Sequence, residues 1–127
     1  MSAIKNHFTA KVTAMAQVTG NASDNDVSGH LFVLACEATL KSCRFSCSTM
    51  ASSKTAKISL YADTTKVVDQ TDLVSTALNA KGTLTAAKVD TIFPVGTVFK
   101  MKEESTASSN VDGLAADLMF VQMSAIP

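Results

Sequence analysis

Apolar and polar positions alternate through much of this chain. From Phe8 to Val18, Phe8, Ala10, Val12, Ala14, Ala16 and Val18 fall on one side. Thr9, Lys11, Thr13 and Gln17 fall on the other, with Met15 the exception. A period of two is the mark of a half-buried strand. Ala56 to Ala62 repeats it, with Ala56, Ile58, Leu60 and Ala62 inward and Lys57, Ser59 and Tyr61 outward. Thr97 to Glu103 sets Val98, Lys100 and Lys102 against Phe99 and Met101. Ala116 to Met123 sets Leu118 and Phe120 against Met119, Val121 and Met123.

Other stretches are less regular. Leu31 to Cys36 is a continuous apolar run, expected to be a strand buried on both faces, and Glu37-Ala38-Thr39 a short connection after it. Between Leu40 and Cys47 two periods compete. Cys36, Leu40, Cys43 and Cys47 have helical spacing, whereas Cys43, Phe45 and Cys47 fit a strand. The abundance of Ser and Thr, poor helix formers, favours the strand. Thr71 or Asp72 is placed to cap one short helix through Leu78, with Gly82 beyond its end. Asp63-Thr64-Thr65 and Phe93-Pro94-Val95-Gly96 read as turns.

The pattern predicts six to eight short strands, punctuated every 8 to 14 residues. That spacing belongs to a mainly β chain: a single-domain antiparallel β-sandwich or jelly roll with at most one short helix. A length of 127 residues fits one domain over 1–127, with no linker and no repeat. The first 20 residues are a candidate arm whose strand pairs with a neighbouring copy.

Charge removes some functions. Eleven basic and eleven acidic side chains cancel, and no Lys/Arg cluster offers a footprint for nucleic acid or an anionic membrane. The N-terminal segment Met1 to His7 carries no apolar signal region, and no apolar run is long enough to span a bilayer. Synthesis in the cytoplasm is the expectation. With no Trp and one Tyr, an aromatic sugar-binding platform is disfavoured.

Little catalytic chemistry is nominated. Cys36, Cys43 and Cys47 are odd in number and read as reduced, semi-buried residues. A Cys43–Cys47 bridge along one strand would have to span about 13 Å, beyond disulfide reach. His7 and His30 lie in no zinc or nucleophile motif. Glu103 and Glu104 project to opposite faces of a strand, so they form no acid–base pair and are expected to be solvated. Asp24-Asn25-Asp26-Val27-Ser28-Gly29 matches the first half of a calcium loop, but Ala35 stands where the bidentate Glu is needed. The segment is therefore read as a solvated turn. No cofactor, metal or catalytic residue is assigned, and an enzyme is not expected.

One succession of segments carries a resemblance. It runs through Val27-Ser28-Gly29-His30-Leu31-Phe32-Val33, the Ala56-to-Asp63 strand, Phe93-Pro94-Val95-Gly96-Thr97-Val98-Phe99-Lys100 and Asp117-Leu118-Met119-Phe120-Val121. With the richness in Ala, Ser and Thr, it resembles the small β-sandwich or jelly-roll structural proteins of tailed bacteriophages, capsid decoration (cement) proteins among them. The resemblance spans most of the chain without a diagnostic motif. It implies a virion component on the capsid surface, often a trimer, bound where major capsid protein subunits meet. Such a protein would stabilise the shell by binding its assembled state. The contacts expected are Phe8, Val12 and Val18 from the N-terminal strand, and Met119, Met123 and Ile126 from the apolar C-terminal segment. The alternatives are a tail, neck or head-fibre part, or a monomeric ligand-binding sandwich.

Overall fold

The computed structural model describes residues 6–14, 17–18, 25–104 and 110–123. In chain order the strands are β1 (His7–Ala14), β2 (Gln17–Val18), β3 (Asn25–Asp26), β4 (Ser28–His30), β5 (Phe32–Val33), β6 (Ala38–Ser46) and β7 (Thr55–Ala62). They continue with β8 (Thr65–Val74), β9 (Asn79–Lys81), β10 (Ile92–Phe93), β11 (Val98–Glu103), β12 (Val111–Asp112) and β13 (Ala115–Gln122). All pairings are antiparallel among the described residues.

One sheet runs β10-β6-β13-β1-β4, with β9 also on β6. The second runs β3-β11-β7-β8, with β5 also on β11. The segment from Asn25 to Val33 crosses between them: β3 and β5 join the second sheet, and β4 joins the first. The chain is thus the mainly β, antiparallel sandwich that its alternation predicts. A single apolar core fills the space between the sheets, with Phe45, Phe99 and Phe120 fully buried. Each such side chain contributes roughly 1.5–3 kcal/mol by leaving water.

Local chemistry explains several elements. In β11 the alternation is strict: Phe99, Met101 and Glu103 point inward. The β7–β8 hairpin turns on Asp63, whose φ of 54° suits an Asp. Asp63 is clamped to Val98 twice, its N–H donating at 2.7 Å and its carboxylate accepting the Val98 N–H at 3.1 Å.

Six expectations are corrected. Ser59 and Tyr61, expected outward on β7, are buried, since both turn their hydroxyls to Glu104. The segment expected to be a solvated turn holds β3 and β4 around the buried Val27. The predicted helix from Thr71 to Leu78 does not form. Those residues extend β8 to Val74, which pairs with Thr55. Cross-strand pairing outweighs a marginal capping signal. The described residues contain only a three-residue 3-10 turn, Ala86–Lys88. The run from Leu31 to Cys36 is not a doubly buried strand. Only Leu34 is buried, and Leu31 and Val33 are half-exposed at the sheet margin. Ala38 and Thr39 are not a connection but the start of β6. Glu103 and Glu104 are not solvated: Glu103 is fully buried, and Glu104 is largely enclosed by its partners.

Of the expected arm over residues 1–20, residues 6–14 and 17–18 are described. Along β1, His7 to Thr13 pair residue for residue with Val121 to Ala115 within the single chain.

Candidate docking face

The outer face of the first sheet carries the most distinctive surface. One row crosses four strands: His7, Val121, Thr39 and Ile92 are successive partners on β1, β13, β6 and β10. Beside it the β6–β13 register slips between Met119 and Phe120. Met119 faces Ser42, Phe120 faces Leu40, and Lys41 is the extra residue. A bulge of this kind re-aims a side chain. Here Lys41 joins Ser42 on the solvent side, and its ammonium meets the Asp90 carboxylate at 2.9 Å. Asp90 is held in a left-handed conformation, φ 61°, just after the 3-10 turn.

Lys41, Asp90, His7, Ile92 and Met123 border an open hollow of about 410 Å³. Thr39 and Val121 form its floor and are nearly inaccessible. Ile92 leaves 52% of its surface in water and Met119, on the same face of β13, 36%.

The expected contact residues divide. Met119 and Met123 lie on this face. Phe8 is half-buried and turns inward, its ring stacked on Phe120 at 5.1 Å. Val12 is a correction: it is completely buried in the chain's own core, so it offers no surface to a partner. The inward phase of β1 that makes Val12 apolar is satisfied by the opposite sheet. Val18 lies in β2, paired with Val111, and its side chain is outside the described residues, as is Ile126. Sequence reasoning missed Lys41, Asp90 and Ile92. They meet through a bulge and a turn that leave no periodic signal.

The opposite sheet bears a second polar cluster. Glu104 accepts hydrogen bonds from the Ser59 hydroxyl at 2.8 Å, the Tyr61 hydroxyl at 3.2 Å and the Gln70 amide at 3.2 Å. The Lys66 ammonium stands 3.0 Å away. Burial pushes the Glu104 carboxyl up, but the Ser59 and Lys66 hydrogen bonds, the Lys66 charge and the Tyr61 hydroxyl outweigh it. Its pKa is lowered. Lys102 lies over the Tyr61 ring at 4.4 Å. The arrangement fastens β7, β8 and β11 together. A carboxylate so engaged is a poor proton acceptor.

Thiol chemistry is similarly restrained. Burial, helped by the Asp117 charge, pushes the Cys43 thiol up to about 12, and burial raises Cys47. All three cysteines are free. Asp26, from the calcium-like segment, faces Lys100 at 3.3 Å and Lys102 at 3.9 Å. Asp24 lies outside the described residues. Among the described residues no group of three or more His, Cys, Asp or Glu is arranged to hold a metal. No helix among them is long and apolar enough to cross a membrane.

No family model and no curated protein matches this chain. Among solved structures it is similar to the catalytic domain of a GH87 alpha-1,3-glucanase, in complexes with tetrasaccharides and with nigerose. Identity is 18%, over 97% of this chain and 29% of theirs, with a TM-score of 0.48. Another complex with tetrasaccharides gives 16% identity, 99% and 30% coverage, and a TM-score of 0.44. This chain spans about three-tenths of those chains. A likeness that loose says nothing about activity.

Proposed function

We propose that this chain is a non-catalytic structural module that docks on a larger protein assembly, as a capsid decoration protein docks on its shell. The observation that carries the reading is the outer face of the first sheet. There Ile92 stays exposed at the border of a hollow that Met123 also lines, and Met119 stays exposed on the same face of β13. Exposed apolar side chains gathered beside a concavity mark a protein-contact surface. The groups able to do chemistry support the same reading. Glu104 is engaged by four neighbours, and the Cys43 and Cys47 thiols are held protonated.

In this reading the partner is the major capsid protein and the location is the outside of the virion. Copies of the chain associate as a trimer. The test is co-sedimentation with empty shells of the major capsid protein of its own virus. Saturable pelleting supports the reading, and a chain left in the supernatant contradicts it. Light scattering on the isolated chain tests the trimer.

A further inference from the structure

The hollow at His7 and Ile92 does not stand alone. The segment from Asn79 to Phe93 runs along the outer margin of β6, paired by β9 at one end and β10 at the other. Three open hollows lie between strand and segment, and a fourth lies between the segment and the turn after β7. Lys81 borders both a hollow of about 260 Å³ and one of about 400 Å³. Lys41 borders that second hollow and the one of about 410 Å³. Ile92 borders the latter and a hollow of about 320 Å³ at the Thr64 turn. Neighbouring hollows thus share a wall residue, and the row makes a segmented groove.

Its charge is unlike that of the chain. Arg44, Lys81, Lys41 and Lys88 line it, against Asp90 and Asp63. The whole chain balances to zero. Of the four cations, only Lys41 has a carboxylate partner among the described residues. Arg44 donates to the neutral Asn79 amide at 2.7 Å, and the Asp117 opposite it on β13 pairs with Lys11 instead. Lys81 and Lys88 make no ion pair among the described residues. Between the cations, Val89 and Ile92 expose 53% and 52% of their surface.

Building on the docking reading above, we infer that this groove takes an extended acidic segment of the partner protein, with carboxylates beside Arg44, Lys81 and Lys88 and apolar side chains against Val89 and Ile92. An extended strand presents alternate side chains to opposite sides, so one segment can satisfy a charged rim and an apolar floor. Uncompensated charge of one sign selects and steers the opposite sign. A nucleic acid fits less well. Its bases need aromatic platforms, and the one Phe bordering the groove, Phe93, is buried.

The probe is a fluorescent peptide of about ten residues alternating Glu and Val, read by anisotropy. A Lys/Val counterpart and single-stranded oligothymidine are the controls. The acidic peptide should bind the wild-type chain, and salt at about 0.5 M should release it. The double variant Lys81→Glu, Lys88→Glu should weaken binding by roughly tenfold or more, and Ile92→Asp should weaken it too. All these positions are at the surface, and unchanged melting would confirm intact folding. Equal binding by the double variant, no binding by the wild type, or preference for oligothymidine regardless of Ile92 would each overturn the inference. Shell binding by the double variant would overturn it as well. A wild-type chain that takes the peptide yet leaves shells bare would remove the virion reading and leave the groove standing.

Discussion

The rings of Phe99 and Phe120 meet edge to face, 5.2 Å apart at 69°, and they come from opposite sheets. Phe99 also meets Phe93 edge-on at 5.3 Å, and Phe120 stacks on Phe8 at 5.1 Å. Phe32 meets Phe8, Phe99 and Phe120 at 5.5 to 6.5 Å, so five of the six phenylalanines form one chain of contacts through the core. Each pair adds about 0.5–1.5 kcal/mol beyond area burial.

Replacing Phe120 by Ala should therefore destabilise the fold by about 3–5 kcal/mol in equilibrium denaturation. A loss near 1 kcal/mol would mean that the sheets can close over the cavity, and that the ring chain is not the keystone of the core.

Glu104 gives the chain an acid limb. Its carboxyl is held below the ordinary value of 4.5 in the folded state. Its stabilisation is complete above that ordinary value, where the unfolded chain titrates. It is lost as pH falls through the lower folded value. Glu104→Gln should cost about 1–3 kcal/mol at neutral pH. The gap between variant and wild type should narrow as the solution is acidified below about pH 4.5. A gap independent of pH would show that the charge at Glu104 is not what matters.

Two glycines with positive φ should behave differently. A Cβ on Gly113, φ 68°, would come within 2.2 Å of Ser48 Oγ, and Ser48 is tied to Asp112 by a 2.8 Å backbone bond. A Cβ on Gly96, φ 92°, meets nothing within 4 Å. Gly96→Ala should cost about 1–2 kcal/mol of backbone strain, and Gly113→Ala clearly more. Equal losses in denaturation would contradict the contact with Ser48.

Cys43 should resist alkylation in the folded chain at pH 8, because its thiol is buried and shifted to about 12. All three cysteines should react in denaturant. Mass spectrometry of the labelled peptides decides it, and rapid native labelling of Cys43 would show that the first sheet opens.

Much of the scaffold was legible in the sequence because it is governed by period two. The alternation in Phe8 to Ala14 and in Val98 to Glu103 is the burial pattern found. In β7 it holds only as far as Ile58, because Ser59 and Tyr61 are buried as well as Leu60 and Ala62, and in β13 it ends at Phe120, because Val121 is buried too. What escaped was set by partners distant in sequence. Thr71 to Val74 look like a helix start until β7 is beside them. Glu104 looks solvated until Ser59, Tyr61, Lys66 and Gln70 are folded around it. Leu31 and Val33 look buried until the crossing between sheets turns them outward. The candidate docking face was half legible. Met119 and Met123 follow from the phase of β13, but Lys41 depends on a bulge, and Val12 was assigned to a partner when its own core needed it.

The proposed role, stabilisation of an assembly, can be read directly from that assembly. The direct measurement is calorimetric melting of empty shells of the proposed partner, a major capsid protein, with and without saturating amounts of this chain. Binding to the assembled state alone raises its stability by mass action. The shell melting temperature should be higher, should rise with concentration, and should lose that gain with Ile92→Asp. A shell that melts at the same temperature at every concentration would contradict the proposed role.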